Sequence, residues 1–175
     1  MMHFYEWVEA LGFSTWVRES GSLWSYPMIL FLHTVGLGFL VGPSVALSLR
    51  ILGVAPRLPL APMGRLYPIM WVGFWINAVS GLVLLMADAT TKMINWDFYV
   101  KLVFIAIAVW ALMLMKQEVL ATPVGNPDSS PAASSGREKL LATVLLVSWT
   151  GAIAAGRLMA YLGPVSGAPG LNNKF

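Results

Sequence analysis

The feature that most constrains the fold of this chain is a long segment without charge. Between Glu19 and Arg50 there is no Asp, Glu, Lys or Arg, and the whole sequence is 58% hydrophobic and only 11% charged. That composition is too apolar for a soluble domain of 175 residues. A helix needs about 20 apolar residues to cross a bilayer. Four segments meet that length, so the sequence predicts an all-α, four-helix transmembrane bundle surrounded by lipid, with spans near 23–49, 66–87, 98–120 and 139–162.

The N-terminal residues 1–20 have a different pattern. Apolar and aromatic residues of Phe4–Val17 alternate with Glu6, Glu9 and Arg18, which is typical of an amphipathic helix in the membrane interface. Gly12 weakens this helix and favours a break there. The first residues lack the basic region of a signal peptide, so we expect insertion without cleavage.

The loops predict the orientation of the membrane domain, residues 21–163. The first loop carries Arg50, Arg57 and Arg65 and no acid, and basic residues also flank the Pro/Ser/Gly-rich loop 121–136, which we expect to be flexible. By the positive-inside rule we expect both loops to be cytoplasmic and both termini to lie on the outer face of the membrane. A net charge of +3 spread over the loops indicates topology signals rather than a nucleic-acid surface. We expect residues 164–175 to form an irregular tail.

The candidate site is centred on His33, since a titratable ring inside a span is rare and usually functional. The other histidine is His3, and there is no cysteine, which excludes disulfides and thiolate metal sites. Helical geometry places several polar side chains on the same, outer half of the bundle. They are Tyr26, His33, Asn77, Asp88, Lys101 and Arg157.

The first hypothesis for this site is a b-type haem in an electron-transfer protein. His33 would bind the iron, and Arg157 and Lys101 would pair with the propionates. The second axial ligand would come from Met86, from Met159 or from His33 of another copy. The four-residue spacings Gly38–Gly42 and Ser148–Ala152 permit close helix contact, so a homo-oligomer or a subunit of a larger complex is expected.

Three other hypotheses remain open. A quinone would be bound by His33 and Arg157, with His33 donating a hydrogen bond to one carbonyl. Asn77 would orient the pocket, and Tyr26 or Asp88 would aid proton exchange. Copper handling would use the thioethers near His33, because soft sulfur ligands suit Cu(I). A cofactor-free accessory or anchoring subunit would pair its buried charges internally, with Asp88 and Lys101 as the expected pair. The methionines of the copper hypothesis are Met28, Met86, Met93 and Met159.

Three runs resemble a family of uncharacterised four-span bacterial membrane proteins: Leu30–Gly36, Leu66–Phe74 and Trp149–Arg157. The resemblance covers nearly the whole chain and implies a four-helix bundle without an established activity. More loosely, a histidine followed by small residues in the first span is similar to cytochrome b561-like and copper-resistance membrane bundles. Those families usually have several intramembrane histidines, whereas His33 alone matches here.

Overall fold

The computed structural model describes residues 2–56, 58, 60–121 and 134–162, and their regular structure is entirely helical. Four of the helices are long and apolar enough to cross a membrane, which confirms the predicted all-α multi-pass architecture. Most of the predicted loop 121–136 and the whole tail 164–175 lie outside the described residues. The helices are α1 Met2–Glu9, α2 Gly12–Glu19, α3 Tyr26–Ile51, α4 Leu66–Met86, α5 Ala89–Ile94, α6 Trp96–Ala121 and α7 Gly136–Leu162, with a 3-10 turn at Ala61–Arg65.

Both ends of α3 have local causes that can be read in the sequence. Pro27 lies in the first turn of α3, where a missing N–H has no consequence. The helix ends in a Schellman motif, in which Val54 N donates to Leu49 O and Gly53 N donates to Arg50 O. Gly53 has a φ of 91°, a conformation that glycine adopts without strain. This motif turns the chain back towards the end of α3.

The four long helices pack as two antiparallel pairs. α3 packs on α4 and α6 on α7, and a further contact between α3 and α7 joins the pairs. α3 and α4 are in backbone contact at Gly36 and Gly73, where an added Cβ on Gly73 would lie 2.7 Å from Leu40 N and 2.8 Å from Gly36 O. α3 and α7 are linked by the buried indole Nε1 of Trp149, which donates to Ser44 Oγ at 3.0 Å. Backbone contact and a buried hydrogen bond therefore set the positions of the helices around α3.

The N-terminal segment forms two short helices, with the break at Ala10–Leu11 just before Gly12. They lie at the end of the bundle where α3 begins, which we call the N-terminal end. Glu9 Oε1 accepts hydrogen bonds from Thr90 N and Thr90 Oγ1, both at 2.7 Å, and so ties α1 to α5. Arg18 Nη1 donates to Ala87 O at 3.3 Å. Placement of this segment in a membrane interface stays a prediction.

Candidate functional site

His33 lies in the second turn of α3, about 10 Å from the start of the helix, and its ring faces α4. His33 Nδ1 is 3.1 Å from Ser80 Oγ. The ring lies against Gly81, where an added Cβ would be 3.0 Å from His33 Cε1. Helix α4 therefore supplies both a polar partner and the space that the ring needs.

The hydrogen bonds of Ser80 favour one tautomer of His33. Ser80 Oγ lies 2.6 Å from Ile76 O and 3.2 Å from Asn77 O, and both carbonyls can only accept. When the single hydroxyl proton points to either carbonyl, Ser80 Oγ accepts from Nδ1–H of His33. This arrangement favours a neutral ring whose Nε2 is unprotonated and presents its lone pair.

Nε2 of His33 has no hydrogen-bond partner among the described residues. In that same part of the chain, two side-chain hydroxyls are inaccessible to solvent and have no hydrogen-bond partner, those of Ser14 and Tyr67. Nε2 is not one of them, so it reaches the surface of the chain. A lone pair on an accessible ring nitrogen inside a span can bind a metal ion or accept a hydrogen bond.

Asn77 holds the backbone at His33. Its Nδ2 donates to His33 O at 2.8 Å, across the α3–α4 contact. Because this amide contacts the main chain rather than the ring, Asn77 positions the helix at His33. Its predicted role in orienting a cofactor pocket stays a prediction.

Lysine side chains supply the charge around His33. The field of Lys101 reaches the ring, and so does that of Lys92. Lys92 Nζ donates to Leu84 O at 3.0 Å and lies 3.6 Å from Asp88 Oδ2. The predicted pair of Asp88 with Lys101 is therefore wrong, since Asp88 pairs with Lys92 on its own short helix at i, i+4.

Lys101 is half-buried in α6 and has no ion pair or hydrogen bond within the described ranges. Its aliphatic chain lies against Gly156 of α7, where an added Cβ would be 3.6 Å from Lys101 Cδ. Asp97, one turn earlier on α6, is 6% exposed and not within ion-pair distance of Lys101. A cation without a counter-charge at the edge of a span favours an anionic group nearby.

The other predicted site residues form no hydrogen bond or ion pair with His33 in the described part of the chain. Arg157 is exposed on α7, and Tyr26 is exposed at the start of α3. Met86 and Met159 are half-buried on α4 and α7. Their roles stay predictions.

Sequence reasoning missed two members of the cluster, Ser80 and Gly81. Both stand in an otherwise apolar stretch of α4, where a serine is easily taken for a neutral packing residue. Their spacing from Asn77 could have identified them. Ser80 and Gly81 follow Asn77 by three and four residues, so all three lie on the same face of α4.

Nε2 of His33 can bind a haem iron as one ligand, or it can accept a hydrogen bond from one hydroxyl of a quinol. Among the described residues no group of three or more His, Cys, Asp or Glu side chains could hold a metal ion, so a polydentate protein site is not formed there. The fold and the cluster together define an all-α multi-pass membrane protein with one accessible intramembrane histidine. Comparison with protein-family models, curated proteins and solved structures finds no match to this chain.

Proposed function

We propose that this protein is a membrane electron-transfer subunit that binds a redox group, a b-type haem or a quinol, at His33. The observation that carries the proposal is the free Nε2 lone pair of His33 inside a membrane-length helix, with Nδ1 held by Ser80. Ligating histidines commonly have their other ring nitrogen fixed by a hydrogen bond in this way.

For a haem, His33 Nε2 would bind the iron and Lys101 would pair with a propionate. The haem would supply one-electron transfer. The close contact of α3 with α4 at Gly36 and Gly73 leaves no room for a macrocycle between these two helices. The haem would therefore lie on the side of His33 that faces away from that contact.

Each chain has one histidine within its spans, His33, which supports a haem shared between two chains. We propose that His33 of a second copy supplies the other axial position, which makes the active form a homo-oligomer. The expected stoichiometry is one haem for two chains.

If the ligand is a quinone or quinol, the tautomer of His33 determines which of these two redox forms binds more tightly. With Nδ1 protonated, Nε2 accepts a hydrogen bond, so it fits the hydroxyl of a quinol and not the carbonyl of a quinone. The site would then bind the reduced form more tightly. A protonated ring would reverse this preference.

The test is a reduced-minus-oxidised spectrum of the protein purified in mild detergent, with iron, copper and extractable quinone measured on the same sample. The wild-type protein is expected to carry a b-type band with iron, or bound quinol. His33→Ala should remove it, and His3→Ala, which changes the exposed histidine of α1, should retain it. Ser80→Ala should lower cofactor retention by about 10- to 100-fold.

Other results would contradict the assignment of His33 or favour one of the alternative hypotheses. Equal cofactor content in His33→Ala and His3→Ala would contradict the assignment of His33. Stoichiometric copper without haem would favour the copper hypothesis. A sample with no haem, quinone or copper would contradict the proposal and favour a cofactor-free accessory subunit.

We also propose an orientation in a bacterial inner membrane, with the N-terminal end of the bundle periplasmic. Exposed tryptophans at this end support an interfacial position, since these rings favour headgroup depth. Because the chain has no cysteine, single cysteines can report sidedness. Ser20→Cys is expected to react with a membrane-impermeant maleimide from the periplasm, and Ser135→Cys only after lysis. The exposed tryptophans are Trp7, Trp16, Trp24 and Trp96.

A further inference from the structure

Arg50 is an almost fully buried cation at the end of the bundle opposite to His33. It lies in the last turn of α3 and is 6% exposed. Its Nε donates to Leu58 O, in the loop that the Schellman motif turns back over the helix end. Arg65, in the same loop region, is exposed. Arg50 is therefore distinguished from its basic neighbour by burial.

No carboxylate compensates this charge within the described residues. The sequence has no acid from residue 20 to residue 87, so α3, α4 and the loop between them cannot supply one. The described acids at this end are engaged elsewhere: Glu118 pairs with Arg137 at 2.8 Å, and Glu138 accepts from Ser135 N at 2.9 Å. A buried guanidinium without a counter-charge is costly, and it favours an anion from outside the chain.

The terminal nitrogens of Arg50 have no partner among the described residues, yet they are not sealed within the chain. Part of their surface is therefore accessible from outside the chain. Leu58, whose carbonyl accepts from Arg50, also lines a shallow cavity of about 270 Å³ together with Val54, Ala55 and Pro56. The lining is apolar, and Val54 and Leu58 are 70% and 52% exposed.

The length of α3 places this site at the depth of lipid headgroups. Its 26 residues span about 39 Å, whereas the hydrocarbon core is about 30 Å thick. With α3 centred in the bilayer, Arg50 in the last turn is expected at the depth of the phosphates, next to an apolar surface. A ligand with a phosphate and an adjoining aliphatic part matches both features.

We propose that Arg50 binds the phosphate of an anionic phospholipid, whose apolar part lies against Val54 and Leu58. The planar guanidinium presents paired N–H donors that match phosphate oxygens. This lipid site is separate from the redox site at His33, and its test does not depend on any cofactor.

The experiment measures lipid binding to the full chain in detergent, by native mass spectrometry and by the midpoint of thermal unfolding. The probes are dioleoylphosphatidylglycerol, dioleoylglycerol, which has the same chains without phosphate, and inorganic phosphate. Phosphatidylglycerol should stay bound and raise the midpoint, and the other two should not. Arg50→Met should weaken its binding by about tenfold or more, because charge-assisted hydrogen bonds are lost. Arg65→Met, with the same change of charge, should alter it less than about twofold.

Equal binding by Arg50→Met and Arg65→Met would overturn the proposal and leave Arg50 as a brace for the loop. Stabilisation by inorganic phosphate to the same degree would overturn the lipid assignment in favour of a free phosphate site. If Arg50→Met does not fold, the wild-type comparison decides alone: equal effects of phosphatidylglycerol and dioleoylglycerol would refute a role for the phosphate.

Discussion

Gly73→Ala is the substitution that tests the geometry of the candidate site most directly. Gly73 lies where α3 and α4 touch, and its added Cβ would be 2.7 Å from Leu40 N and 2.8 Å from Gly36 O. Both neighbours are backbone atoms, so no side chain can rotate away. The helices must separate by about 0.7 Å to restore an ordinary contact distance.

The magnitude follows from that separation. Overpacking of this kind costs about 1–3 kcal/mol. The same movement would lengthen the bond from Asn77 Nδ2 to His33 O from 2.8 Å to about 3.5 Å, beyond a useful hydrogen bond, which adds about 1 kcal/mol. We expect Gly73→Ala to lower the free energy of unfolding by about 2–4 kcal/mol in total.

The assay is equilibrium unfolding in mixed micelles of dodecyl maltoside and dodecyl sulfate, followed by circular dichroism. The matched control is Gly38→Ala on α3, where an added Cβ meets nothing within 4 Å. That variant should be neutral or more stable by up to about 1 kcal/mol, because alanine favours helix. Equal midpoints for the two variants would show that α3 and α4 do not meet at Gly73, and the placement of His33 beside Ser80 would fail with it.

Three further substitutions test individual contacts. Tyr67→Phe removes a buried hydroxyl that has no partner among the described residues. The free energy of unfolding should therefore stay unchanged or rise by up to about 1–3 kcal/mol. A lower free energy of unfolding in the same titration would reveal a partner for the hydroxyl. Ser44→Ala takes the acceptor from Trp149 Nε1 and should lower that free energy by about 1–3 kcal/mol, whereas full stability would contradict the α3–α7 bond. Glu9→Ala removes both bonds to Thr90, so hydrogen exchange of the α1 amides should rise by about tenfold or more; unchanged exchange would show that α1 is held by other contacts.

Much of the fold was predictable because hydrophobic length is a local property. The four membrane-length helices follow from apolar runs, and the N-terminal break follows from the glycine at position 12. The start of α7 is equally local: Ser135 Oγ accepts from Glu138 N at 3.2 Å, and Glu138 accepts from Ser135 N, which is a capping box. The short helix α5 was not predicted, because Thr90 and Thr91 are weak helix formers and the segment is held by Glu9.

The close-packing contact between α3 and α4 was not predicted. Gly36 and Gly73 make this backbone contact. The four-residue spacing of Gly38 and Gly42 was assigned to contact between copies, which stays a prediction; an added Cβ at either position meets nothing within 4 Å among the described residues. Ser148, from the small-residue spacing Ser148–Ala152 on α7, is buried within the bundle and so serves internal packing.

The sequence by itself determined that His33 is an intramembrane histidine without a nearby cysteine or second histidine. It could not determine which side of α3 the ring faces. A span that is apolar on every side carries no periodic signal for its packed face. Tertiary packing decided this, because contact between Gly36 and Gly73 brings α4 close enough for Ser80 to accept from Nδ1, which leaves Nε2 free.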